Sequence, residues 1–152
     1  MANTQSMCTS FTEQLLTATH DFTPGTGDTF KAALYETTAT YNAATTAYST
    51  SGEVSGAGYT AGGVAVTNAN APASTNSSAT AGVAYWTPSA SITYSSVTLT
   101  TAFDAVLIYN SSKSNKAVSV HTFGSQTVTA GTFTLTMPTN NTTNALLRLA
   151  TT

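Results

Sequence analysis

Two histidines, one cysteine and six carboxylates are the groups in this chain best suited to acid–base, nucleophilic or metal chemistry. His20 adjoins Asp21, a juxtaposition that could form a hydrogen-bonded pair. A catalytic base needs a positioned partner and a cleft, though, and an imidazole just past a helix C-terminus is electrostatically welcome without any reaction. His121 falls in the pattern Val118, Val120 against Ser119, His121, which places it on the polar face of a strand. Cys8 stands in a polar segment with neither a base nor an electropositive setting to activate a thiol. Glu13, Asp21, Asp28, Glu36, Glu53 and Asp104 are scattered, without the spacing of a calcium loop or the ligand cluster of a zinc site. We therefore expect no catalytic residue, no metal and no cofactor.

The stretch GAGYTAGG, residues 56–63, has the glycine density of a phosphate loop but lacks the Gly-Lys-Ser/Thr ending. It reads as a glycine-rich turn of a β protein. Four Asn-x-Ser/Thr triplets begin at Asn76, Asn110, Asn140 and Asn141, as chance provides in a chain so rich in Thr and Ser. With four basic residues in all, counterion release on DNA or RNA would be small, so no nucleic-acid partner is expected.

The elements that would position these residues are mostly strands. Ser10 and Glu13 fit a capping box that opens a helix over 10–19, with Phe11, Leu15, Ala18 and Leu16 toward one face. Pro24, Gly25 and Gly27 then mark a turn. From residue 28 onward the period is that of strands. DTFKAALYET sets Phe30, Ala32 and Leu34 against Lys31, Ala33 and Tyr35, the pattern of a half-buried strand. Further strands are expected at 64–67, 79–86, 92–100, 103–110, 117–123, 132–137 and 145–150. Residues 68–78 read as an exposed loop, 110–116 as a hairpin turn, and 124–131 and 138–144 as strand connections. The expected fold is all-β, an antiparallel sandwich or barrel of about eight strands with one short N-terminal helix. Residues 1–9 read as a flexible arm and 10–152 as a single β domain.

Charged residues make up 7% of the 152, and the formal net charge is −2, against a quarter or so charged in ordinary domains. Threonine fills the gap: in TFTLTM, Phe133, Leu135 and Met137 share one face and threonines the other. Little repulsion keeps copies apart, so a homo-oligomer is expected. The N-terminus lacks the basic and apolar regions of a secretory signal, and no apolar run nears the roughly 20 residues of a membrane helix. The chain is expected to be soluble, made in the cytoplasm, and without a membrane partner.

Four stretches in order, DTFKAALYET, GEVSGAGYTAGG, LIYNSSKSNKA and AGTFTLTMPTNNTTNALLRLA, resemble a family of small structural proteins of tailed bacteriophages. The resemblance covers most of the chain and is poorest over 68–91. It implies a jelly-roll-like form of the β fold and a virion component: a capsid decoration (cement) protein bound to the major capsid protein on the outer head, or alternatively a tail- or fibre-associated structural or receptor-binding module. It brings no catalytic residues. Expected protein-contact residues are Phe11 and Leu15 on the helix and the loop tyrosines Tyr41, Tyr48 and Tyr59.

Overall fold

A computed structural model describes residues 2–75 and 82–151. In chain order the elements are β1 (Ser6–Met7), α1 (Thr9–Leu16), β2 (Phe30–Glu36), β3 (Val64–Ala65), β4 (Ala73–Ser74), β5 (Val83–Trp86), β6 (Ile92–Asn110), β7 (Lys116–Leu135) and β8 (Leu147–Ala150). The fold is all-β, as expected. Five strands form one antiparallel sheet in the order β1-β7-β6-β2-β3, and three form a second, β4-β5-β8. One hydrophobic core joins them: Trp86 and Leu147 of the small sheet share it with Phe22, Phe30 and Ile92.

The centre of the large sheet is β6, flanked by β2 and β7. Leu107 pairs with Ala33 on one side and Val120 on the other, and all three are fully buried. The strand β2 is buried on both faces, not one. Phe30, Ala32 and Leu34 lie toward one side, and Ala33 and Tyr35 are equally sequestered on the other. The segment 37–63 explains it: Tyr41 packs its ring on Tyr35 on that second face, while Val54 N–H donates to Leu34 O and Glu53 pairs with Tyr35 along the strand's edge.

Two expected strand pairs are single long strands. The expected break at 101–102 is absorbed into β6 as a register shift between Leu99 and Phe103, and β7 continues through residues 124–131 with a bulge between Thr122 and Gln126. Further shifts lie at Ser96 and Ala130, whose φ angles of 53° and 46° are those of bulge residues. Gly124–Gly131 carries few apolar residues because that half of β7 is an exposed edge. Residues 73–74, expected in a loop, form the edge strand β4. Of the expected strand at 79–86, residues 79–81 lie outside the described residues, as do 76–78 of the expected loop.

The N-terminal residues do not form a free arm. Ser6 and Met7 pair with Val120 and Ser119, and Asn3 is buried, its side chain donating to Glu36 O and Asp104 Oδ1 and accepting from the Tyr41 N–H. The helix is shorter than expected and starts differently. Cys8 occupies the N-cap without a side-chain cap bond, and the Ser10 hydroxyl is buried without a partner, so the expected capping box does not form. No helix among the described residues is long and apolar enough to cross a membrane.

Candidate functional site

The expected contact tyrosines point inward. Glu53, in the loop that covers β2, is their hub. Its Oε1 accepts from the Tyr59 hydroxyl at 2.8 Å and the Gly62 N–H at 2.7 Å, and its Oε2 accepts from the Tyr48 hydroxyl at 2.7 Å. The Tyr59 hydroxyl also accepts the Leu34 N–H at 3.0 Å, tying the loop to the sheet. Tyr48 stacks on Tyr109 with ring centroids 4.7 Å apart, and the Tyr109 hydroxyl donates to Gly62 O. Tyr41 is buried beside Tyr35, and both hydroxyls donate to Ser49 O. Thus Tyr41, Tyr48 and Tyr59 fasten the loop to the sheet and do not offer free hydroxyls to a partner. Burial, aided by the Glu53 charge, raises the Tyr48 and Tyr59 phenols above their ordinary value and pushes Tyr109 up to about 12. They stay protonated donors. Glycine is needed at Gly62, whose φ is +91° and whose Cβ would stand 3.1 Å from the Tyr109 hydroxyl.

A second polar network ties α1 to the hairpin turn. His20 is buried, and its Nδ1 lies 3.0 Å from the Asn110 amide nitrogen, a donor. Nδ1 is therefore the acceptor, and Nε2–H donates to Gln14 Oε1 at 2.7 Å. The Asn110 amide also donates to Asp28 Oδ2, while Ser112 Oγ and Lys113 Nζ approach Asp28 Oδ1. His20 does not pair with Asp21, as the non-catalytic reading of the sequence favoured; Asp21 Oδ1 accepts the Thr23 N–H in a local turn. Burial lowers the His20 pKa despite Asp28 nearby, keeping the ring neutral. Burial also opposes the Asp28 charge, but the Asp21 N–H, Asn110 and Ser112 outweigh it and hold the carboxyl below its ordinary value.

His121 does not lie on a polar face. It borders an apolar cavity of about 120 Å³ among Ile92, Val106, Ile108, Phe123 and Met137, with Ser119 Oγ 2.8 Å from Nε2. Burial pushes its pKa down to about 4. Cys8 is fully buried, and burial pushes its thiol up to about 11, the reverse of an activated nucleophile. Among the described residues no group of three His, Cys, Asp or Glu side chains could hold a metal ion.

An open apolar groove lies between α1 and the small sheet. Phe11 and Leu15, both expected contact residues, line a groove of about 270 Å³ with Phe22, Trp86, Leu147 and Leu149. Phe11 is buried in its floor and Leu15 is half-buried. The adjacent Leu16 is 90% exposed, and Leu149 is 37% exposed. Trp86 is fixed at the groove by its indole N–H, which donates to Asn68 Oδ1 and Asn70 O. Sequence reasoning placed Phe11 and Leu15 correctly on one helical face but had no means of finding Trp86 and Leu147 opposite them. No protein-family model, curated protein or solved structure matches the chain. The functional reading accordingly rests on the chain's own residues and on the sequence resemblance.

Proposed function

We propose that this chain is a non-enzymatic structural protein of a bacteriophage particle, most specifically a capsid decoration protein that binds the outer head and stabilises contacts between major capsid subunits. The observation that carries the reading is how its polar groups are used. Glu53 and its tyrosines, and His20 with Asn110 and Asp28, are held in internal hydrogen bonds, while the open apolar surface concentrates at the α1 groove and Leu16. A surface with few charges costs little to desolvate against a shell. The jelly-roll-like connectivity expected of such proteins belongs to the same proposal.

In this reading Leu16 and Leu15 meet the shell, and Phe11, buried in the groove floor, supports them, since binding energy at interfaces comes from a few apolar or aromatic anchors. The test is quantitative mass spectrometry of purified particles. Hundreds of copies per particle support decoration of the head, whereas a few to dozens place the chain in the tail. Deleting the gene should lower the temperature at which heads release their DNA, and heads of unchanged stability would contradict the role.

A further inference from the structure

The small sheet ends on β8, whose register with β5 runs from Leu147 to Ala150 without a shift. The flanking hydrogen bonds fix which backbone groups of β8 face outward. Thr75 N–H donates to Val83 O on the β4 side of β5, and Thr151 N–H donates to Gly82 O on the β8 side. Bonds along an antiparallel pair alternate, so Leu147 and Leu149 turn their backbone groups toward β5. Arg148 and Ala150 aim theirs away from it. Among the described residues no strand, turn or side chain hydrogen-bonds to those outward groups. Arg148, Leu149 and Ala150 are exposed.

The two faces at this edge differ in chemistry. Leu147 and Leu149 share a face with Ala84 and Trp86, and all four line the groove beside α1. Arg148 lies on the opposite face. The one ion pair among the described residues joins Lys113 to Asp28, and Arg148 has neither an ion pair nor a hydrogen bond. Residues 139–152 carry no other charged side chain. Two copies joined along this edge would bring their arginines together with no acid between them, and a charged edge residue disfavours such pairing. A different chain that brings a carboxylate meets no such opposition.

We propose that an extended segment of the shell protein, with an acidic residue between two apolar ones, adds to β8 as the outer strand of the small sheet. The residue opposite Arg148 exchanges backbone hydrogen bonds with it and sets its carboxylate beside the guanidinium. Its two neighbours then point to the other face, next to Leu147 and Leu149 at the groove. Strand addition of this kind takes affinity from main-chain bonds and specificity from alternate side chains. The inference rests on the decoration reading for the identity of the partner, but the recognition chemistry belongs to the isolated chain.

The test is a nuclear magnetic resonance titration of the full chain with end-blocked five-residue peptides at millimolar concentration. Thr-Val-Glu-Val-Thr should shift the Arg148 and Ala150 amides and slow their exchange. Thr-Val-Lys-Val-Thr should bind about fivefold more weakly, and Thr-Val-Pro-Val-Thr, which lacks the central N–H, should not bind. Arg148→Glu should keep the wild-type melting temperature and prefer the lysine peptide. Absence of binding by the glutamate peptide overturns the proposal. So does equal binding of the glutamate and lysine peptides, or a chain that self-associates through its β8 amides. Failure of the peptides with hundreds of copies found on the head removes this inference alone; peptide binding by a chain absent from the head removes the decoration reading alone.

Discussion

The Tyr59 hydroxyl stands between a backbone and a carboxylate: it accepts the Leu34 N–H at 3.0 Å and donates to Glu53 at 2.8 Å. One phenol thereby joins the central sheet to the loop that covers it, and the Gly62 N–H and Tyr48 complete the Glu53 shell.

Removing the charge at this hub should loosen the loop. Hydrogen bonds to a charged group contribute about 1.5–3 kcal/mol, so Glu53→Gln is expected to lower unfolding free energy by ~1–3 kcal/mol. Tyr59→Phe should cost a similar amount, because it leaves the Leu34 N–H without its acceptor. Urea unfolding measures both. If the hub acts as one unit, the double variant loses less than the sum of the two, and strict additivity would argue against a shared network.

Acid should destabilise the fold through its histidines. Burial holds His20 and His121 below the ordinary imidazole value, so the folded state binds fewer protons than the unfolded chain. Their contribution is complete above pH ~6.5 and declines as pH falls below it, for His121 until about 4. Urea midpoints at pH 7.5 and 4.5 should differ in the wild type and differ less in His121→Phe. Equal acid losses in the two proteins would remove His121 from the account.

Gly63 and Gly25 both have positive φ but differ in surroundings. A Cβ on Gly63 would overlap the Ala32 carbonyl oxygen, whereas one on Gly25 meets nothing. Gly63→Ala should prevent stable folding or cost more than ~3 kcal/mol, while Gly25→Ala should cost ~1 kcal/mol from its backbone conformation alone. Thermal melts of the two variants decide it.

Leu16 is the most exposed large apolar side chain among the described residues. Leu16→Asp should leave the melting temperature within a degree or two of wild type, because surface changes usually stay within ±0.5 kcal/mol. Under the proposed decoration role it should nonetheless reduce binding to heads that lack the protein, measured by co-sedimentation. Undiminished binding would take Leu16 out of the contact.

Much of this fold is visible as alternation: β2, the hairpin turn before β7, and the Phe133–Leu135 face follow from it. Continuity is not. Leu99 and Phe103 are both buried, but Thr101 between them is exposed, so the alternation lapses where the strand inserts a bulge. Residues 124–131 lack an apolar face because an exposed edge needs none. The inward tyrosines are hidden for another reason. Tyr35, Tyr41, Tyr94 and Tyr109 donate to backbone carbonyls of Ser49, Ala32 and Gly62, and a carbonyl carries no mark in the sequence. Glu53 leaves one trace, lying between Tyr48 and Tyr59 and ahead of Gly62, but only the fold brings the three together. Likewise the α1 face was readable from Phe11 and Leu15, and the opposing wall of Trp86 and Leu147 was not.

The most direct measurement of the proposed role is a cryo-electron-microscopy reconstruction of particles from the phage proposed to encode this chain. The account predicts density of this fold on the outer surface of the head, repeated at capsid symmetry sites, with α1 and Leu16 against the major capsid protein. Density confined to the tail, or no density on the particle at all, would contradict it.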